Sequence, residues 1–481
     1  MKFIHPLVII RILSTILLIE SISFLLVIPV AIIYNESLSP IILSSLITFT
    51  VFLISRASSF KADLGIVTNR DGYLAVTLSW IIFTIMGSLP YLLSGSISSF
   101  FDAFFESASG FTTTGSTCIV DVEILPRSIL FWRSLTHWIG GLGIIVLVII
   151  ILPSLRITAQ QLLSLESSLK EKIHPKTKAV GFRILFIYLG LTIIEVIFLA
   201  IGDMDLFDSI CHTFGTVATG GLSTRNSSII NYSAYSQYII AIFMFLSGVS
   251  FVIYYYIVKL KFSKLKQNDE LRFYGGFVLA AGLLTACILY FQAGKPMELA
   301  FREGFFQVIS IITTTGYTTT DYLIWPASGV MLIFILLFAG ACTGSTTGSI
   351  KMARHLVVIK NIRNVFTRLT HPNVITQVKL NNKPLSDKLN NSVVSFVIFY
   401  LFIFIIGTIL VIVTGSDPVT SASAVASSLG NVGPGLGTVG PMFTYSHFPD
   451  SAKFLLSLIM IIGRLEIMTV FALFTRSFWK L

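Results

Sequence analysis

Charge is what this sequence has least of. Of its 481 residues only 12% are Asp, Glu, Lys or Arg, while 54% are hydrophobic and the mean hydropathy is +0.86. Soluble domains carry about a quarter charged residues, so a soluble fold is excluded and a polytopic membrane protein is expected. Cysteine is also scarce. Cys118, Cys211, Cys287 and Cys342 are scattered, form no C-x-x-C pair, and read as small apolar fillers. No His/Cys/Asp/Glu spacing suits zinc, and neither H-E-x-x-H nor G-x-S-x-G occurs, so nothing points to an enzyme. His137 and His212 stand alone and read as structural. No Walker A pattern is present, so control by a nucleotide would need a second protein. Acidic residues are outnumbered, 23 against 33 basic ones, for a formal charge of +10. The basic residues are spread between apolar spans rather than clustered, which excludes nucleic acid as a partner and leaves the lipid bilayer.

Apolar runs are what the chain has in plenty. A membrane-spanning helix needs about 20 such residues. Two spans are predicted first, at 7–33 and 40–54. The first is too long for a signal-peptide core and lacks a cleavage site, so it is read as retained. Beyond a basic loop (Arg56, Lys61, Arg70), one pattern recurs four times: span, short half-helix, glycine-bearing stretch, span. The predicted spans are 72–95 and 129–152, 180–202 and 234–258, 271–293 and 326–360, and 391–414 and 452–475. The half-helices occupy 99–111 and begin near Asp205, Met297 and Pro418. At about 12 residues they are too short to cross, and such re-entrant elements survive only where buried in protein or facing water. The expected fold is an all-α polytopic membrane protein with ten full spans. Four pseudo-symmetric helix–re-entrant loop–helix repeats (61–170, 171–265, 266–385, 386–481) surround one pore, after a two-helix segment at 1–60.

The glycine-bearing stretches carry the chemistry. They centre on Gly115, Gly220, Gly316 and Gly433, about 100 residues apart, a period that implies quasi-symmetry around an axis. One Thr-Thr-Gly alone is an ordinary turn; recurrence in one context is the signal. Glycine lets neighbouring carbonyls point one way, and rings of carbonyls can replace the hydration shell of K⁺. The predicted ligands are the carbonyls of Thr113 and Thr114, Ala218 and Thr219, Thr314 and Thr315, and Asn431 and Val432. Half-helix C-termini aimed at the axis would also favour cations. The half-helix acids Asp102, Glu106, Asp208 and Glu303 admit two readings, concentrating cations at the mouth or satisfying local structure.

Two features suggest a gate. The predicted span 326–360 would be about 52 Å long as straight helix, against a ~30 Å core. It contains AGACTGSTTGSIK at 339–351, a poor helix former, so a break is expected around Gly340, Gly344, Ser345 and Gly348. Arg464 falls near the middle of the last span, where a charge costs at least ~2.5–3.5 kcal/mol and needs a cavity or partner. Glu466, two residues on, points to another face. The expected closed state has the 339–349 loop and Arg464 occluding the path together. Lys and Arg set the orientation. With both termini cytoplasmic, 26 of the 33 basic residues lie inside, and the other seven are Arg127, Arg133, Arg225, Lys295, Arg302, Lys453 and Arg464. All four glycine stretches then enter from outside.

The chain resembles the Trk/Ktr/HKT superfamily of potassium transporters, and the TrkH branch most. The resemblance rests on SGFTTTGST (109–117), WRSLTHWIGGLGIIVL (132–147), TVATGGLST (216–224), TTTGYTTTDY (313–322), AGACTGSTTGSIK (339–351), GNVGPGLG (430–437) and GRLEI (463–467). The two extra N-terminal spans match the TrkH rather than the shorter Ktr branch. The resemblance implies a K⁺-selective pore in each chain, a homodimer, and a cytosolic nucleotide-binding (RCK/TrkA-like) regulatory subunit on the inner face. It implies the bacterial inner membrane, potassium as the transported ion, and no organic cofactor in this chain. It also implies that Gly115, Gly220, Gly316 and Gly433 match the family's filter glycines. In plant HKT relatives a serine at the first position goes with sodium, so Gly115 favours potassium. The second glycine of TVGYG is absent in repeats one and three, where Ser116 and Tyr317 follow, so a shorter filter and weaker K⁺/Na⁺ discrimination are expected. The alternative is an ion-coupled secondary transporter (K⁺/H⁺ or K⁺/Na⁺ symport). Midplane sites of that class commonly sit between inverted repeats, whereas these four repeats share one orientation.

Overall fold

The computed structural model describes residues 4–63, 65, 67–146, 177–374 and 376–479. Residues 147–152 of the expected 129–152 span and the basic residues Lys170, Lys172 and Lys176 lie outside them.

Pro6–Leu25 continues, after a break at Leu26 and Val27, as Ile28–Ile33, and Ser39–Ser58 packs along it. Where the two helices meet, the Ser21 and Ser45 hydroxyls each donate to the other residue's carbonyl, at 3.1 and 2.9 Å. Small residues allow that close approach. Asn69–Gly87 then opens on a capping box: Asp71 N–H donates to the Thr68 hydroxyl, and Thr68 N–H donates to the Asp71 carboxylate.

Four half-helices follow in turn: Phe100–Phe111, Leu206–Val217, Met297–Ile312 and Pro418–Gly430. Their 12 to 16 residues span about 18–24 Å, short of a bilayer core. Each lies between a first and a second helix of its repeat. Second helices also reach the neighbouring repeat. Arg127–Val146 packs on Phe100–Phe111 and Leu206–Val217, and Ala234–Ser247 on Leu206–Val217 and Met297–Ile312. Asp450–Arg464 packs on Pro418–Gly430 and back on Phe100–Phe111, so the last repeat closes onto the first. The interior is rich in hydroxyls, with Ser107, Ser109, Thr213, Ser310 and Ser427 fully buried, while Ile193, Ile197, Leu284, Ile398 and Phe402 are exposed on the first helices. An apolar periphery around a polar centre is the arrangement lipid requires.

Six helices are long and apolar enough to cross a membrane among the described residues, or seven if one bent pair is counted, rather than the expected ten. The six are the two N-terminal helices and the first helix of each repeat. The difference lies in the second helices. A break was expected only in repeat three, where Ala327–Leu336 does stop and the helix resumes at Met352–Thr370. Repeats two and four break as well. Ala234–Ser247 turns by 95° into Phe251–Val258, and Asp450–Arg464 ends before Glu466, whose φ is 61°, with Ile467–Ala472 beyond. Arg127–Val146 of repeat one is unbroken over its 20 residues; in repeats two and three the backbone groups freed by one break are taken up by the other. Cys342 N–H donates to the Gly248 carbonyl (3.0 Å) and Phe251 N–H to the Gly344 carbonyl (3.1 Å). The chain departs from all-α in a hairpin pairing Lys379–Leu380 with Lys383–Pro384 around Asn381 and Asn382, both at positive φ as a two-residue hairpin turn demands, and in an isolated parallel bridge between Ala339 and Ile350.

Candidate functional site

The four half-helices end in the same way. Thr113 N–H donates to the Gly110 carbonyl (3.0 Å) and Thr114 N–H to that of Ser109 (2.9 Å). Thr219 and Gly220 repeat the pair on Thr216 and Gly215 (3.0 and 2.7 Å), Thr314 and Thr315 on Ile311 and Ser310 (3.0 and 2.8 Å). Asn431 and Val432 do so on Ser428 and Ser427 (3.3 and 2.9 Å). This is a Schellman motif, whose first residue past the helix is left-handed; φ is 52° at Thr113, 57° at Thr219, 52° at Thr314 and 54° at Asn431. Glycine usually takes that place, and a β-branched residue there is strained. Such strain, about 1–3 kcal/mol each, persists where the surroundings over-determine it and clusters at functional sites.

Two residues on, each loop has a glycine at positive φ: Gly115 (85°), Gly221 (78°), Gly316 (83°) and Gly433 (104°). In repeat two the equivalent glycine is therefore Gly221 and not the predicted Gly220. Gly220 takes the place of Thr114, Thr315 and Val432, so Thr219 and Gly220, and not the expected Ala218 and Thr219, stand where the other repeats have Thr113 and Thr114, Thr314 and Thr315, and Asn431 and Val432. Ala218's carbonyl accepts from its neighbour's own hydroxyl, Thr219 Oγ1, at 2.6 Å. The shift also changes the comparison with a two-glycine filter. Thr117, Ser223 and Thr318 stand at the second glycine's place in the first three repeats, and only repeat four, Asn431-Val432-Gly433-Pro434-Gly435, keeps it.

These glycines form a closed ring with the carbonyls before them. A Cβ on Gly115 would lie 2.2 Å from the Gly220 oxygen, one on Gly221 1.8 Å from that of Thr315, one on Gly316 2.1 Å from that of Val432, and one on Gly433 2.7 Å from that of Thr114. Each repeat thus presses its glycine on the next repeat's carbonyl, and the fourth returns to the first. All four glycines line one cavity of about 130 Å³ at the mouth of the ring. The Gly433 carbonyl is held by three donors, Ser116 Oγ (3.1 Å), Ser427 Oγ (2.7 Å) and Tyr445 Oη (2.9 Å).

Against the other side of the ring lies the break of repeat three. Thr219 Oγ1 donates to Thr346 Oγ1 (3.2 Å), Thr346 Oγ1 to the Val217 carbonyl (3.3 Å), and Gly348 N–H to Thr314 Oγ1 (2.8 Å). Two of the strained threonines are thereby joined to this loop. The buried Arg464 donates to the Thr346 carbonyl and, at 3.2 Å, to that of Gly140. Lys351 Nζ caps Thr347, meeting its carbonyl and, at 2.8 Å, its hydroxyl. Gly340 is required by space, since a Cβ there would lie 2.3 Å from the Gly348 oxygen; Gly344 is at φ 79°. Ser345 Oγ donates to the Cys342 carbonyl at 2.7 Å. The predicted residues Gly340, Gly344, Ser345 and Gly348 thus form one loop, with Arg464 bound to it.

Comparison with known proteins shows the family. The family model for TrkH, described as a cation transport protein, matches residues 39–293 and 293–480. The chain is 36% identical over 427 residues to the Trk system potassium uptake protein TrkH of Escherichia coli K12, covering 87% of this chain and 88% of that one. It is 34% identical over 485 residues to the protein of the same name from Vibrio parahaemolyticus, covering 98% and 99%. The crystal structure of the potassium transporter TrkH from Vibrio parahaemolyticus superposes with a TM-score of 0.89 at 32% identity, over 100% of both chains. The chain belongs to the TrkH family.

In this TrkH-family chain the half-helix acids are held in ion pairs. Glu106 meets Arg133 (2.8 Å, both buried), Asp102 meets Lys453 (2.6 Å), Asp208 meets Arg225 (3.3 Å) and Arg127 (3.7 Å), and Glu303 meets Lys295. Arg302 joins Glu298 at 2.8 Å. Six of the seven basic residues assigned to the outer side therefore face a carboxylate, and Arg464 faces carbonyls. Several pairs cross repeats: Lys453 of repeat four holds Asp102 of repeat one, and Arg127 of repeat one reaches Asp208 of repeat two. Sequence reasoning missed Glu270. Its carboxylate accepts from Thr343 N–H and hydroxyl (both 2.6 Å) and from Ala353 N–H (3.2 Å), stapling both ends of the loop. The neighbouring Asp269 takes Lys360 (2.9 Å) and Asn381 N–H (3.0 Å). An Asp-Glu pair opening a helix reads as a capping device, and nothing local announces partners more than 70 residues away.

Proposed function

We propose that this chain is a potassium uptake subunit that conducts K⁺ through the ring of Thr114, Gly220, Thr315 and Val432 carbonyls. The observation that carries this reading is the closed ring itself, four glycines at positive φ each against the next repeat's oxygen. Oxygen rings of this type substitute for the water around K⁺, and the half-helices present their negative ends to it. The names of the relatives point to the same ion. With both termini in the cytoplasm of a bacterium, the mouth faces outward and the loop below the ring faces inward. The loop's contacts with Thr219, Thr314 and Arg464 support a closed state, in which a guanidinium beside the path repels cations where water is scarce. Opening would follow from movement of Met352–Thr370, driven by a cytosolic nucleotide-binding subunit of the Trk system on a homodimer of this chain. The test is ⁸⁶Rb⁺ flux into liposomes holding the purified chain alone, with Na⁺ as competitor and with and without a pH gradient. Selective flux independent of the pH gradient supports conduction; flux that requires the gradient supports symport; no selectivity for K⁺ or Rb⁺ over Na⁺ defeats the reading.

A further inference from the structure

The ring is not built alike in all repeats. In repeat one Thr112 and Thr114 brace the loop by a hydroxyl contact of 2.7 Å, and in repeat three Thr313 and Thr315 do so at 2.9 Å. Repeat two has Ala218 and Gly220 at these two places and repeat four has Gly430 and Val432, so the brace is missing in both. Backbone conformation does not demand glycine at 220, which is not among the residues at positive φ. Space does. A Cβ there would lie 2.1 Å from Nδ1, 2.5 Å from Cγ and 2.6 Å from Cε1 of His137. His137 projects from Arg127–Val146, is fully buried, and neither ring nitrogen makes a hydrogen bond of good geometry to the described residues. One ring nitrogen faces the Gly110 carbonyl too loosely for an ordinary hydrogen bond, and the imidazole fills the space behind Gly220.

We propose that His137 is a positioning residue for the ion path: its imidazole wedges behind Gly220 in place of the missing threonine brace and sets the height of the Gly220 carbonyl in the ring. This rests on the conduction reading above. A flat ring behind a bare backbone holds that oxygen against Gly115, and removing it lets the oxygen retreat from the ion.

The experiment measures Rb⁺ flux and Na⁺ competition in liposomes for His137→Ala, His137→Phe, Gly220→Ala and the double variant His137→Ala/Gly220→Ala. Gly316→Ala serves as a separate probe of the ring, and size-exclusion elution checks assembly. His137→Ala is expected to lower the K⁺/Na⁺ ratio about tenfold, the loss of one contact to a charged ion. His137→Phe should keep most of the ratio, because it keeps the ring. Gly220→Ala should abolish flux, and the double variant should recover it, because the new methyl enters the space the imidazole leaves. An unchanged ratio in His137→Ala, or a double variant no better than Gly220→Ala alone, overturns the proposal. If His137→Ala does not assemble, the His137→Phe ratio and the rescue of Gly220→Ala decide in the same way. A changed ratio in Gly316→Ala alongside either failure leaves the conduction reading standing and removes only His137; an unchanged one removes the conduction reading itself.

Discussion

Replacing Gly221 with alanine tests the ring where it is tightest. The new Cβ would lie 1.8 Å from the Thr315 oxygen, whereas Cβ contacts essentially never fall below 3.0 Å. One of the two loops must then move by about 1 Å. Alanine at φ 78° adds about 1–2 kcal/mol of backbone strain, which also favours a shift. If the Thr315 oxygen leaves the ring, the ion loses one of the oxygens that stand in for its hydration shell. A hydrogen-bond-strength contact to a charged group contributes about 1.5–3 kcal/mol, and 1.4 kcal/mol is about tenfold in affinity. Uptake at limiting K⁺ should therefore fall by roughly 10- to 150-fold. The assay is growth on limiting K⁺ and ⁸⁶Rb⁺ uptake with Na⁺ competition, in a bacterium lacking its own K⁺ uptake, with membrane abundance measured by immunoblot. Gly294→Ala is the matched control: its φ is also positive, at 64°, but nothing lies within 4 Å of its Cβ. It should leave uptake unchanged. Gly221→Ala at normal abundance with full Rb⁺ uptake and unaltered Na⁺ competition would refute the ring.

Three further outcomes follow from the contacts below and around the ring. Arg464→Ala, or deletion of residues 344–347, removes the link between Arg464 and the loop; basal Rb⁺ flux in subunit-free liposomes should rise roughly tenfold or more, and flux no faster than wild type in both places the gate elsewhere. Glu270→Ala frees both ends of the loop from one carboxylate, so it should raise basal flux too, while Glu270→Gln, which keeps an acceptor oxygen, should raise it less; equal flux in all three proteins counts against the staple. Arg133→Leu leaves Glu106 buried without its partner, at a cost of about 3–5 kcal/mol. The melting temperature in detergent should drop sharply, and adding Glu106→Gln should recover part of it; an unmoved melting curve contradicts the pairing.

Four half-helices and the loop of repeat three were legible in the sequence because their causes are local. An apolar run of 12 residues followed by Thr-Thr-Gly cannot cross a bilayer, whatever surrounds it. A 35-residue span is too long for one. The glycines at 115, 316 and 433 were placed by the same logic, since each stands alone after its threonines or valine. In TVATGGLST two glycines adjoin, and no local rule separates them. Only packing does so: Gly221 is pressed on Thr315 of the next repeat, while Gly220 is pressed on the ring of His137. The breaks in repeats two and four were equally hidden. A helix can end at residues 248–250 because the loop of repeat three, some 90 residues on, supplies partners for its freed backbone, and such a partner has no signature in the broken segment. The same holds for charge. Sequence sorted seven basic residues to one side of the membrane, but which carboxylate each one faces depends on how repeats close around the axis, as with Lys453 reaching back 351 residues to Asp102. Composition and run length act on neighbours along the chain and so determined the elements; register, breaks and ion pairs act between neighbours in space, and only the closed ring of repeats decided them.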